Sequence, residues 1–228
     1  MRYIRMVLPP REKRPGHPNE NRRGNSRREP ADRPGDSPGQ GPPAPRDPRS
    51  ARHSPSAAAR RTADLVNTLA DDAAGPGDIA AALRAHGEND PLHLTPADLA
   101  GLREAAGRLR EVFAAGTAEH AVTVLNRLLH EHTGPLRLTS HRGASPWHPH
   151  VDPDDDAPWP EWFLASSCLA LAVLVWTHQR PPGGICAADG CLRVYVSQGS
   201  GRDRRYCSRR CATRERVAAH RRRHSPPR

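Results

Sequence analysis

"ICAADGCLRVYVSQGSGRDRRYCSRRCATRERVAAHRRRH", residues 185–224, holds four of the chain's five cysteines and then runs straight into arginine. Cys186 and Cys191 are separated by four residues, Cys207 and Cys211 by three, and fifteen residues lie between the pairs. Two close thiol pairs bridged by a hairpin-length spacer supply four soft ligands for one tetrahedral Zn2+, leaving no position for water, so the site reads as structural. A pair of disulfides and an iron–sulfur cluster are the competing readings. Clustered thiols in a reducing compartment favour metal over disulfide, and a segment with so few large apolar side chains needs a staple to fold. Gly190 directly before Cys191 suits a tight turn. "LRVYV" then alternates as a strand, "SQGSGRD" turns, and "RRYC" is expected as the return strand. Cys207 and Cys211 stand at i and i+4, which places both on one face of a starting helix. Residues 183–225 are therefore expected to form a treble-clef-like finger.

Beyond Cys211 the helix is basic. At 3.6 residues per turn, Arg210, Arg214 and Arg221 fall near one line, and Arg209, Arg216, His220 and Arg223 fall on a neighbouring one, with Arg222 between the terminal arginines. Arginine pairs bidentately with phosphate and can reach guanine edges, so these eight residues are the expected DNA contacts. A zinc-stabilised module that captures a protein or RNA is the alternative.

The charge distribution agrees. Of a formal net charge of +10, residues 1–60 carry +8, residues 61–182 carry −7 and residues 183–228 carry +9. Basic ends around an acidic middle point to a polyanionic partner. No secretory signal is recognised at "MRYIRMVLPP", which predicts a cytoplasmic protein, nucleoid-associated if it binds DNA. The longest apolar run, Phe163 to Trp176, has 14 residues and reads as a buried core helix rather than a membrane span. Cys168 within it is expected to be an inert buried thiol.

Residues 1–58 contain 12 prolines and no apolar periodicity, so a disordered Pro/Arg-rich arm is expected there. Residues 59–180 change character. "RTADLVNTLADD" and "GDIAAALRAHG" predict two short helices. Thr95, Pro96 and Asp98 form an N-terminal signature for a helix running to about Ala115, and Thr117 with Glu119 opens another. "GPLRLTSHRGASPWHPHV" predicts a β-hairpin with Leu136 and Leu138 alternating against polar neighbours. A further helix is expected from about Glu161 to Gln179, ended by the hinge-like "RPPGG". The fold class is thus mainly α with a small β-hairpin, an α+β domain followed by the finger.

His141, His148 and His150, with Asp152, Asp154, Asp155 and Asp156, carry metal-binding chemistry, but their irregular spacing in a Pro-rich stretch reads as a solvated loop. Asn67 and Thr68 of "DLVNTL" read as structural hydrogen-bonding residues. With no Gly-rich phosphate loop, nucleophile elbow or HExxH helix, no enzyme is expected.

The chain resembles the bacterial CGNR zinc-finger proteins, whose finger follows the helical ABATE domain of stress-responsive transcription regulators. The resemblance rests on "YCS" at Tyr206 to Ser208, on Cys211 and Arg214 of the Cys-Gly-Asn-Arg element, and on "DLVNTL" from Asp64 to Leu69; Ala212 and Thr213 replace the Gly and Asn. It implies a transcription regulator; with the basic helix, a DNA-binding one is expected, whose helical domain senses a small-molecule effector, binds a protein partner or forms a homodimer.

Overall fold

Local capping signals determine where the helices start. The computed structural model describes residues 53–154, 156–197 and 204–224. The arm expected over residues 1–58 lies outside these up to residue 52, as does the turn expected at 198–203. Helix α1 spans Pro55–Leu69, with Ser54 accepting from the Ala57 backbone N–H and Pro55 in the first turn. It begins ahead of Arg60 because Ser-Pro supplies a cap and a preset φ. Helix α2 spans Pro76–Ala85. Helix α3, Pro96–Ala114, opens with a reciprocal box in which the Asp98 N–H donates to Thr95 Oγ1 at 3.1 Å and the Thr95 N–H donates to Asp98 Oδ2 at 2.9 Å. Helix α4, Ala118–His132, starts at Thr117, whose hydroxyl accepts from the His120 N–H.

Helix α5, Trp159–His178, is apolar almost all round and is long enough to cross a bilayer by composition. It packs instead against α1, α3 and α4 as the centre of the core, with Phe163, Cys168 and Leu171 fully buried. A polar contact buried against it is matched on both sides: Thr62 and Ser167 hydroxyls lie 2.8 Å apart, and Thr62 donates to the Ala58 carbonyl. Burial pushes the Cys168 thiol up to about 12, so it is inert as a nucleophile.

Strands β1 (Arg137–Thr139) and β2 (His148–His150) form the expected hairpin, paired Arg137 to His150 and Thr139 to His148. Its facing is set by the core. Leu136 and Leu138 are about two-thirds exposed, whereas Thr139 and His150 are buried. The hairpin turns a polar face inward, and apolar alternation alone does not reveal that.

After α5, "RPPGG" ends the helix, and Gly183–Ile185 forms β3, antiparallel to β4, Val194–Val196. The return strand expected at "RRYC" is not formed: residues 204–206 belong to no strand, and the partner of "VYV" is the segment before Cys186. Val194 and Val196 join the main core, and Gly183 sits so close to the Tyr195 carbonyl and the Phe113 ring that a Cβ would meet them at 2.0 and 2.8 Å. The Pro/Gly link therefore leads the chain back onto the helices instead of releasing a separate finger. Helix α6, Arg209–His224, completes the described chain, and only its Cys211 is buried.

A cysteine metal centre and its basic helix

The knuckle is built by backbone geometry. Gly190 takes φ +66°, and the Cys191 N–H donates to the Ala188 carbonyl at 2.9 Å, which turns the chain so that Cys186 and Cys191 face one another. The second pair enters from the helix side. Ser208 Oγ accepts from the Cys211 N–H at 3.2 Å and so caps α6. Cys207 thus stands just ahead of the helix and Cys211 in its first turn, instead of both lying on one helical face.

All four Sγ atoms lie within 4.8 Å of one another. Cys191 to Cys207 is 3.8 Å, Cys207 to Cys211 3.7 Å and Cys211 to Cys191 3.9 Å. A tetrahedron with Zn–S near 2.3 Å has edges of about 3.8 Å, so the sulfurs fit one structural Zn2+. The crowded sulfurs shift one another's titration. Against burial, which acts to raise it, backbone N–H groups of Cys207 and Ala188 and the thiols of Cys207 and Cys191 bring Cys186 down to about 7. Burial and the neighbouring sulfurs of Cys211, Cys186 and Cys191 push Cys207 up to about 12. If all four ionise, as a zinc site needs, charges at this spacing would require the cation.

The finger is locked to its helix and to the domain below. Arg214 donates to the Asp189 carbonyl at 2.7 Å, while the Asp189 N–H donates to Glu215 Oε1 at 3.0 Å. These consecutive residues of α6 hold the knuckle turn from both sides, which gives Arg214 a local task and accounts for Glu215 within a basic run. Arg209, Arg210, Arg216, His220, Arg221, Arg222 and Arg223 are exposed along the same helix. On the other side, Asn67 of α1 pairs its side-chain amide with the Val194 backbone, accepting from its N–H at 2.7 Å and donating to its carbonyl at 3.0 Å. Arg110 of α3 donates to the Leu192 carbonyl at 2.6 Å. Asn67 is legible in the sequence as a hydrogen-bonding residue; its partner is not.

The expected solvated loop of histidines and aspartates is corrected by the structure. Asp152 is 2% exposed and His150 9%, and the ring nitrogens of His141, His148 and His150 lie within 4.8 Å of one another. Hairpin pairing places His148 and His150 on the inward face, and the φ values of +46° at His141 and +58° at Arg142 fold the loop back over them. Asp154 and Asp156 stay outside this cluster, and Asp155 lies outside the described residues. Beside it, between the hairpin, α1 and α5, opens a cavity of about 440 Å³. On its wall Arg61 bonds Glu88 at 3.0 Å and Ser166 Oγ at 2.9 Å, with its guanidinium 4.3 Å from the Trp162 ring centre.

Residues 184–224 match the family model of the CGNR zinc finger, and residues 59–178 match that of ABATE, described as "Putative stress-induced transcription regulator". No curated protein matches the chain. With its matched helical domain covering more than half of the sequence and a fitted four-cysteine finger behind it, the chain belongs to the ABATE family and carries a CGNR zinc finger with one structural zinc.

Proposed function

We propose that this protein is a DNA-binding transcription regulator of the cytoplasm in which zinc fixes the start of α6 and the helix lays its arginines against phosphate. The observation that carries this reading is the exposed basic face of a 16-residue helix whose one buried side chain is a zinc ligand. Arg209, Arg210, Arg216, His220, Arg221, Arg222 and Arg223 make the contacts, most of them to phosphate, which positions the protein without specifying sequence. Arg214 serves by holding Asp189, so that the knuckle and helix present one rigid surface. The helical domain is the sensing or dimerising part, and the cavity beside the hairpin is its effector site. A homodimer would double the few base pairs that one short helix can read. No turnover is required of any residue.

The test is fluorescence anisotropy of duplex DNA titrated with the full chain, zinc-loaded and chelated, over a range of salt. Zinc-dependent binding with a steep salt slope is expected. Equal anisotropy with and without protein in both states would sink the reading and move α6 to a protein partner.

A further inference from the structure

The geometry points to a second metal site, distinct from the finger: His141, His148 and His150 bind one borderline divalent transition cation of the Zn2+ or Co2+ class through their Nε2 atoms. His148 Nε2 lies 3.0 Å from His150 Nε2 and 3.3 Å from His141 Nε2. Around a tetrahedral ion with metal–nitrogen bonds near 2.0–2.1 Å, ligand nitrogens are about 3.4 Å apart, so three imidazoles already stand close to ligand spacing.

Hydrogen bonds on the far side of two rings hold them in place for a shared cation. His150 Nδ1 lies 2.8 and 2.9 Å from the two carboxylate oxygens of Asp152, and His148 Nδ1 lies 2.8 Å from the Pro146 carbonyl. Both partners only accept, so each Nδ1 donates to them and each ring is held with its Nε2 directed toward the shared centre. Asp152 is itself held by Arg137 Nη2 at 2.7 Å and is almost fully buried. This carboxylate–imidazole arrangement orients a metal ligand and raises its basicity. The His53 ring stacks on His148 at 4.1 Å and restrains that ring as well.

Donor chemistry selects the class of ion. Three imidazoles suit zinc, cobalt, nickel or copper, whereas Ca2+ and Mg2+ need oxygen ligands that this cluster does not offer. The site also differs from the finger in kind. It has three protein ligands, and the same histidines line the cavity of about 440 Å³ with Arg61, Trp162 and Ser166. A position is thereby left for water or a small ligand entering from the cavity, as in sites whose metal stays exchangeable. The assignment does not depend on DNA binding.

The experiment uses the full chain with zinc in the finger, titrated with Co2+ and followed by visible absorption and by metal content after gel filtration. The expected result is one further equivalent per chain, with cobalt d–d bands but no thiolate-to-cobalt charge transfer. His148→Ala and His141→Ala should each lose that equivalent while retaining the finger's zinc, and Asp152→Asn should weaken it about 10- to 100-fold. His141 lies on the partly exposed turn, so its replacement spares the core. A wild-type chain that takes up no metal beyond the finger's equivalent would overturn the assignment and leave the histidines sharing a proton. Retention of the second equivalent by both histidine variants would overturn it equally.

Discussion

Asn67 of helix α1 and Val194 of strand β4 are joined by two hydrogen bonds, side-chain amide to backbone amide, across the seam between helical domain and finger. The pairing imitates one rung of a β-ladder, and it makes the position of the zinc finger a property of the helical domain. Asn is the shortest side chain that can both donate and accept in one plane. Asn67→Ala should lower stability by about 2–4 kcal/mol, since two bonds are lost and the Val194 N–H is left without its acceptor in a partly buried seam. Urea denaturation of the full chain measures this. Asn67→Asp keeps the acceptor but sets a carboxylate against the Val194 carbonyl, so it should not restore wild-type stability.

Removal of zinc should melt part of the finger only. The knuckle and α6 are held through the cysteines, whereas Val194 and Val196 are embedded in the main core. Structural zinc supplies about 10–16 kcal/mol in small fingers, so a strong chelator should abolish the α6 helix and leave α1–α5 folded. Circular dichroism with hydrogen exchange distinguishes the two regions; loss of protection throughout α1–α5 would contradict the expectation. Zinc affinity should fall as pH falls, because protons compete for sulfurs such as Cys207, pushed up to about 12 by burial and neighbouring sulfurs.

Arg61 is buried on the cavity wall with its side chain 12% exposed, and burial lowers its pKa while Glu88 acts to raise it. Glu88→Ala leaves the guanidinium without its counter-charge and should cost about 3 kcal/mol. Glu88→Gln retains a hydrogen-bond acceptor and should cost less. Thermal melts of the wild type and both variants provide the comparison, and melting points equal to that of the wild type would show that the charge contributes nothing.

The capping box of α3 gives a small pH-dependent contribution. The Thr95 hydroxyl and backbone N–H hold the Asp98 carboxyl below its ordinary value. A carboxyl with a depressed folded-state pKa stabilises above its unfolded value of about 3.9 and loses that contribution as pH falls through the folded value. Thr95→Ala should therefore cost about 1 kcal/mol near neutrality, with the difference from wild type shrinking in acid below about pH 4. Denaturation midpoints at neutral and acid pH check both parts.

Features encoded in neighbouring residues are legible from the chain alone. Thr95 with Asp98, Thr117, Gly190 before Cys191, and the two cysteine pairs act across three to five positions, so their roles follow from spacing. Even there, Ser54 with Pro55 is a readable start signal hidden by the proline-rich character of the preceding arm. Packing in three dimensions sets the rest, because the partners are far apart in the chain. Asn67 finds Val194 over 127 positions and Arg61 finds Ser166 over 105, and β3 displaces "RRYC" as the partner of β4 because Gly183 can lie against Phe113 and Gly184 against the Tyr195 ring. The hairpin shows the limit most sharply. Its period of two is visible in the sequence, but which face turns inward depends on what the core offers, and here the inward face carries Arg137, Thr139, His148 and His150 beside buried Asp152. Three histidines at irregular spacing become one cluster only when the strands pair and the turn folds back.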